Sequence, residues 1–253
     1  MIKVSIITAV HNGAREIPVT LASIAAQSYP DIEHIVIDGA SSDDTVEIVR
    51  RSERPVARIV SEPDRGVYDA FQKGLRAASG DVVAYLNAGD AYASADSISH
   101  VIGCFESQPN VDAVFGDVDI LDQTDLTRVV RRYRSAGFRP ERMAFGFMPA
   151  HPALFVSRLA CERAGGYDAS YRIAGDFEFC LRLFVRDQIV FRYLREVIVR
   201  MPRGGLSNRG WRSKCIITQE MRDACRRNGV RTNYLKLLSR FPAKAYEVLR
   251  RYG

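Results

Sequence analysis

A chain of 253 residues, 47% of them hydrophobic, with a mean hydropathy of −0.13, is long enough to bury one large α/β core and reads as a single soluble globular domain. No apolar run approaches the roughly 18–20 residues that span a bilayer, and MIKVSIITAV leads straight into a strand without a cleavage pattern, so cytoplasmic placement is expected. The formal charge of +6 is unevenly spread: Arg203 to Gly253 holds 13 Lys/Arg against 3 Asp/Glu, a net of +10, which leaves −4 on residues 1–202. Cys104, Cys161, Cys180, Cys215 and Cys225 are odd in number, far apart and never in a C-x-x-C arrangement, which suggests neither a zinc site nor a disulfide framework and predicts reduced, mostly buried thiols.

In chain order, the first half alternates short apolar runs with helical patterns, the signature of a mostly parallel sheet flanked by helices. Val4 to Thr8 is a predicted strand, and Ile17, Leu21, Ile24 and Ala25 mark one face of the helix after it. Ile32 to Asp38 is a second strand, followed by a helix with Thr45, Val46 and Val49 inside. Arg58 to Ser61 is a third, with Val67, Phe71, Leu75 and Ala78 at helical spacing beyond it, and Val82 to Leu86 is the fourth. Ligands of such sheets bind beyond the carboxyl ends of the strands, where Thr8, Asp38, Glu62 and Asp90 lie.

The second half is less regular. Ala113 to Val118 and Thr127 to Tyr133 read as strands, the latter region carrying Arg128, Arg131, Arg132 and Arg134. The strand-like PALFV, the turn-rich AGGYD and a helix from about Asp176 to Arg186, with Phe177, Leu181 and Phe184 inside, come next. Ser213 to Asn228 and Tyr234 to Arg251 read as two helices, the second interrupted by Pro242.

Chemistry concentrates in a few segments. In VIDGASSDDTVEIV, Ser42, Asp43 and Asp44 suit a helix start, whereas Asp38 ends a strand; its carboxylate either accepts hydrogen bonds from a base or ribose or belongs to the turn. In SEPDRGVYDAFQKGLRAASGD, Glu62, Asp64, Arg65 and Asp69 crowd around Pro63 and Gly66, more charge than a turn requires. No G-x-G-x-x-G follows the first strand, where the chain reads TAVHNGA, which disfavours a nicotinamide dehydrogenase.

VSIITAVHNGAREIPVTLASIAAQSYPDIEHIVIDGASSDDT, followed by EPDRGVYDAFQKGLRAASGDVVAYLNAGD, resembles the nucleotide-binding half of the family 2 glycosyltransferases, nearest to bacterial members that build exopolysaccharide, O-antigen or glycolipid sugars. The resemblance covers residues 2–205 and implies a GT-A fold, a Rossmann-like mostly parallel sheet flanked by helices. It divides the chain into a GT-A domain over 1–205, with a nucleotide-sugar half at 1–90 and an acceptor half at 91–205, and a basic helical extension at 206–253. It further implies an inverting single displacement from a nucleotide-sugar, a UDP-sugar before a GDP-sugar, to a hydroxyl of a glycan or lipid-linked acceptor in cell-envelope synthesis. The alternative is a degenerate transferase that binds nucleotide-sugar or partner without turnover.

By position, the resemblance assigns Thr8, Val10 and Asp38 to the nucleoside, with Asp64 or Arg65 completing the base site and Asp69 and Lys73 organising the donor pocket; Gln72 stands where many relatives carry Asn. Asn87-Ala88-Gly89-Asp90 falls at the family's metal-binding Asp-x-Asp. Mg²⁺ or Mn²⁺ there needs hard oxygen ligands, and this chain offers the Asp90 carboxylate plus the neutral amide of Asn87, unless the segment is a turn with Gly89 at positive φ. Asp176 matches the catalytic base, with Gly175 where an acid usually precedes it, and helix capping is the competing reading; Glu178 is the weaker base.

His151 approaches the acceptor in this resemblance or is a buried hydrogen-bonding residue; Arg203, Ser207 and Arg209 fall on a loop near the diphosphate or simply on an exposed loop. In the tail, Tyr234, Leu238, Phe241, Ala245 and Leu249 with interspersed Lys and Arg suit either an anionic membrane surface, giving peripheral placement, or a helix packed on the domain. Nucleic acid is not an expected partner, since no recognisable module accompanies the charge.

Overall fold

The structure is a computed structural model and describes residues 1–204 and 210–240. Its first half follows the alternation in the sequence: β1 (Val4–Val10), α1 (Ile17–Ala25), β2 (Ile32–Asp38), α2 (Thr45–Arg50), β3 (Arg58–Ser61), α3 (Val67–Ala77) and β4 (Val82–Tyr85). Then come β5 (Ala91–Tyr92), α4 (Ser97–Ser107), β6 (Ala113–Leu121), β7 (Val129–Tyr133), β8 (Leu154–Ser157), α5 (Arg158–Ala164), α6 (Gly175–Leu181), β9 (Phe191–Pro202), α7 (Gly210–Arg227) and α8 (Tyr234–Leu238). A 3-10 turn at Pro140–Phe145 follows β7, and a wider π turn, Arg182–Arg186, carries α6 to the end of the expected helix.

One sheet joins all nine strands in the order β3-β2-β1-β4-β8-β6-β9-β5, with β7 paired to β6. The β3-β2-β1-β4 part is wholly parallel, while β8 runs antiparallel to β4 and β6 and so brings β6 back into the direction of β4. The carboxyl ends of β1, β2, β4 and β6 therefore share one edge. β-Branched residues fill the buried strands; alternation sends Ile7, Ile35, Ile37 and Val83 to the face covered by α3 and α6, and Val4, Ile6, Val82 and Ala84 to the other. Phe115, Phe177, Phe179 and Phe184 are fully buried on the first face, each worth roughly 1.5–3 kcal/mol of burial.

The sequence has no predicted counterpart of α4, β5, α5 or β9. For α4 the signal is present, since Ile98, Val101, Ile102 and Phe105 are all buried at helical spacing. β9 is charged at Arg192, Arg195, Glu196 and Arg200 and pairs with β6 through two register shifts, so its period-two pattern is broken. Two-residue β5 exists only because it pairs with β9, Ala91 opposite Arg200. Of the cysteines only Cys215 is exposed, and all five are free.

The basic C-terminal part is packed on the domain: Met221, Ala224 and Cys225 of α7 and Leu237 of α8 enter the same core as α3 and α6. The expected helix from Tyr234 to Arg251 is described to Arg240; Phe241, Pro242 and the rest lie outside the described residues.

Candidate active site at the carboxyl edge of the sheet

The loops after β1, β2, β3 and β4 meet at this edge and are tied to one another. Asp38, fully buried at the end of β2, accepts hydrogen bonds from the Ser41 amide (2.9 Å) and from the hydroxyls of Ser41 and Ser61 (2.6 Å for the latter), which fixes the carboxylate between two loops. Asn12, at φ 49°, accepts from the Ser42 amide at 2.8 Å, and Asp43 accepts from the amides of Ala14 and Thr45 at 3.1 Å, so the HNGA and GASSDD loops form one unit. Asp43 thus links loops as well as serving the start of α2.

Asp64 bends back over this unit: its Oδ1 accepts from the Gly66 amide at 2.9 Å, and its Oδ2 lies 2.7 Å from where a Cβ on residue 39 would sit. Beside it, Lys73 Nζ is 2.9 Å from Glu62 and 3.8 Å from Asp69, and Arg65 reaches Asp69 at 3.3 Å. Burial alone would raise the Asp69 carboxyl, yet the Arg65 amide and guanidinium and the Lys73 ammonium hold it below its ordinary value. Asp64, Arg65, Asp69 and Lys73 are therefore brought to one rim, with Asp38 buried beneath it and held by Ser41 and Ser61. Thr8 and Val10 stand at the same edge with both side chains turned inward, the Thr8 hydroxyl 3.0 Å from His34 and Val10 packed with Ile17 and Leu21, so what these two positions present to the edge is backbone.

After β4 the chain makes the turn Asn87–Asp90, closed by the Asp90 amide on the Asn87 carbonyl at 3.0 Å, with Gly89 at φ 95°. Thr20 of α1 organises it, donating to the Asp90 carbonyl at 2.7 Å and accepting from the Gly89 amide at 3.0 Å. Two oxygens in this turn are unusual. Burial pushes the Asp90 carboxyl up to about 7, against the nearby Asn87 backbone that favours its charged form. Asn87 Oδ1 is buried with no hydrogen-bond partner. An orphaned amide oxygen and a carboxyl that burial disfavours as an anion, three positions apart in the chain, are hard donors that a divalent cation would satisfy. Among the described residues no group of three or more His, Cys, Asp or Glu gathers as a metal site, so a cation here draws its remaining ligands from elsewhere.

Asp176 lies in the first turn of α6, after Ala174 at the cap position, and is not the capping residue. Its Oδ1 accepts from the Phe177 amide at 2.7 Å and lies 3.4 Å from the Tyr68 hydroxyl, which also donates to the Ile173 carbonyl. Burial lifts its carboxyl to about 6, opposed by the Phe177 amide and the Tyr68 hydroxyl and assisted by the negative charge of Glu220. Glu220 on α7 accepts from the amides of Arg172, Ile173 and Ala174 at 2.8–2.9 Å and so pins the loop that leads to Asp176. Glu178, by contrast, is buried in a bidentate pair with Arg182 (2.8 and 2.6 Å), leaving it no role as a base.

His151 is 8% exposed, its ring stacked on Phe71 and its Nε2 hydrogen-bonded to the Tyr167 hydroxyl; burial lowers it to about 4, so it is a neutral member of the aromatic core, the second of the two readings open to it in the sequence. Arg203 is exposed, just past the end of β9, its amide donating to Leu121 of β6. Ser207 and Arg209 lie outside the described residues. The sequence reading missed Thr20, Ser41, Ser61, Tyr68 and Glu220. Tyr68 carried a signal in its place beside Asp69 in the EPDRGVYDA segment; Glu220 carried none, being one acid in a basic helix.

A family model described as glycosyl transferase family 2 matches residues 5–160. A Mycobacterium bovis BCG protein named PGL/p-HBAD biosynthesis glycosyltransferase is 33% identical over 210 residues, covering 81% of this chain and 78% of its own. An uncharacterized glycosyltransferase of Mycobacterium tuberculosis is 34% identical over 181 residues, covering 71% and 68%. Among solved structures, a Pyrobaculum calidifontis mannosyltransferase in complex with GDP-Man and Mn²⁺ has a TM-score of 0.66 at 22% identity, over 89% of this chain and 64% of that one. Staphylococcus aureus TarS 1–349 in complex with UDP-GlcNAc has a TM-score of 0.66 at 14% identity, over 89% and 65%. The chain thus spans just under two thirds of these solved structures, and that likeness is one of fold.

Proposed function

The chain belongs to glycosyltransferase family 2, and from that premise we propose that it moves a sugar with inversion from a nucleotide-sugar to a hydroxyl of a glycan or lipid-linked acceptor in cell-envelope polysaccharide or glycolipid synthesis. The observation that carries this reading is Asp176: a carboxyl raised to about 6 by burial, held in place by Tyr68 and by the loop that Glu220 pins. Such a group is ionised at neutral pH yet basic enough to accept a proton as the acceptor oxygen attacks the anomeric carbon. The nucleoside diphosphate then leaves from the opposite face of the sugar.

Asp38, Asp64 and Arg65 take the base and ribose, while Asp69 and Lys73 shape the rim of the donor pocket and Arg203 faces the diphosphate. Asp90 and Asn87 would hold Mg²⁺ or Mn²⁺, which offsets charge on the departing diphosphate. With one carboxylate in the turn, protein affinity for the free ion is low and the donor supplies further oxygens. UDP-sugars are the first choice of donor and GDP-sugars the second. A lipid-linked acceptor sets the reaction at the cytoplasmic face of a membrane; among the described residues no helix is long and apolar enough to cross one.

The incomplete acid pair at Asn87–Asp90 favours one second reading, a nucleotide-sugar binding module without turnover. Thermal shift against UDP-, GDP- and dTDP-sugars with Mn²⁺, followed by transfer assays on wild type and Asp176→Asn, separates the two. We expect both proteins to be stabilised by one donor class and only the wild type to transfer. Transfer retained in Asp176→Asn refutes the base; stabilisation with no transfer from wild type across an acceptor panel establishes the binding module.

A further inference from the structure

The turn Pro140–Phe145 and α8 form one surface, joined where Thr232 donates to the Ala144 carbonyl and where Leu237 is buried beneath. Four large apolar side chains on this surface face outward: Phe145 (39% exposed), Tyr234 (44%), Leu238 (45%) and Leu235 (81%). On α8, Tyr234, Leu235 and Leu238 cover the outer arc while Leu237 takes the inner one.

Cations surround them. Lys236 Nζ lies 5.4 Å from the Phe145 ring and the Arg222 guanidinium 4.8 Å from the Tyr234 ring, while Arg139, Arg142 and Arg231 are exposed nearby. Across residues 139–147 and 229–239, Arg139, Arg142, Arg231 and Lys236 stand against one acid, Glu141, while Arg240 is buried beneath them.

We propose that this surface seats the enzyme on an anionic membrane leaflet, with Phe145, Leu235 and Leu238 entering the headgroup layer and the cations meeting lipid phosphates. Apolar groups ringed by long basic side chains match the layered chemistry of a bilayer interface, where the stems of Lys and Arg cover apolar surface and their heads stay in the charged zone. A second copy of the chain is the poorer occupant, because two-fold pairing of this surface sets like charges against each other. α7, which packs on α8, also carries Glu220, so the membrane-facing surface and the loop holding Asp176 share one helix. The inference rests on the reading of a lipid-linked acceptor, and its test reads binding rather than transfer, so either can fail alone.

The test is co-sedimentation of the full chain with phosphatidylcholine vesicles containing or lacking phosphatidylglycerol, for wild type and Leu235→Ser/Leu238→Ser. Both leucines are exposed, so the double variant keeps its fold, checked by its thermal midpoint. The expected result is binding to the anionic vesicles alone, weakened at least about tenfold by the double variant and also by added salt. Equal binding of the two proteins, or no binding of wild type, overturns the proposal. A concentration-dependent dimer that the double variant abolishes, without vesicle binding, overturns it in favour of a second copy.

Discussion

The Tyr68 hydroxyl lies 3.4 Å from Asp176 Oδ1, across 108 residues of chain. Tyr68 belongs to α3 in the β-α-β part of the chain, whereas the loop before Asp176 is held by Glu220 from α7. The candidate base is thus suspended between α3 and α7, and the two supports act on its charge with opposite sign. The Tyr68 hydroxyl stabilises the carboxylate; the Glu220 charge disfavours it.

That opposition predicts two pH profiles. The base must be ionised, so kcat rises with pH through about 6 in the wild type. Tyr68→Phe removes a donor to the carboxylate, so the acid limb moves to higher pH and kcat near neutrality falls about three- to tenfold, the worth of one hydrogen bond. Glu220→Gln removes a negative charge, so the limb moves to lower pH, while the weaker acceptor for three amides lowers stability by about 1–3 kcal/mol. Donor affinity, read by calorimetry, stays constant in both. Limbs that shift in the same direction would show that these residues act only through packing.

The turn after β4 gives a second prediction. Asp90→Ala abolishes metal-dependent transfer, whereas Asn87→Ala weakens it about tenfold, as expected for loss of one neutral ligand among several. Transfer assayed against Mn²⁺ concentration separates a ligand from a turn residue, since a ligand's loss raises the metal concentration required. Equal and negligible effects of both would return the segment to an ordinary turn.

Much of this was legible in the sequence because it is local. The β-α alternation, the place of Asp38 at a strand end and the positive φ at Gly89 all follow from patterns within a few residues. Inward and outward facing along β1 was harder: Thr8 and Val10 stand at the functional edge, but their side chains serve His34 and α1, which only the pairing of β1 with β2 decides. The two readings of His151 stay open in the sequence for the same reason, its Tyr167 partner and the Phe71 and Tyr85 rings coming from three separate segments. Glu220 was unreadable, since its value is a reach of 46–48 residues to backbone amides that have no sequence signature.

Glu178 is the acid two residues beyond the candidate base, Asp176. Its pair with Arg182 is buried on both sides, with side-chain exposures of 7% and 10%. Glu178→Ala leaves the guanidinium uncompensated and costs about 3–5 kcal/mol of stability. Urea denaturation measures this, and purified folded variant should retain the wild-type pH profile. A profile that loses its acid limb would instead mark Glu178 as the titrating base.

Glu33, at the opposite edge of the sheet, provides a stability prediction independent of the site. Burial would raise its carboxyl, but the Ser5 and Ser79 hydroxyls, the Ser79 amide and Lys3 hold it at about 2, below its ordinary 4.5. A depressed carboxyl contributes stability that is fully present above about 4.5 and is lost as pH falls towards about 2. Glu33→Gln therefore costs about 2–3 kcal/mol at neutral pH and flattens the loss of stability across that window. Chemical denaturation at several pH values checks it; an unchanged acid slope would remove Glu33 from the account.

Gly175 stands directly before the candidate base, where the family resemblance implies an acid. A Cβ at 175 would lie 2.7 Å from the Tyr68 ring, closer than a side chain tolerates, so the glycine and the tyrosine occupy one space. Gly175→Ala forces the ring aside, costs about 1–3 kcal/mol by overpacking and draws the hydroxyl away from Asp176, moving the acid limb upward as Tyr68→Phe does. Because a single contact is responsible, the losses are not additive: in a Tyr68→Ala background the same alanine costs little, and the coupling energy is about 1–3 kcal/mol. Denaturation of the four proteins of the cycle measures that coupling. Additive losses would mean the glycine is required for its backbone alone, and that Tyr68 does not take the space the missing acid would fill.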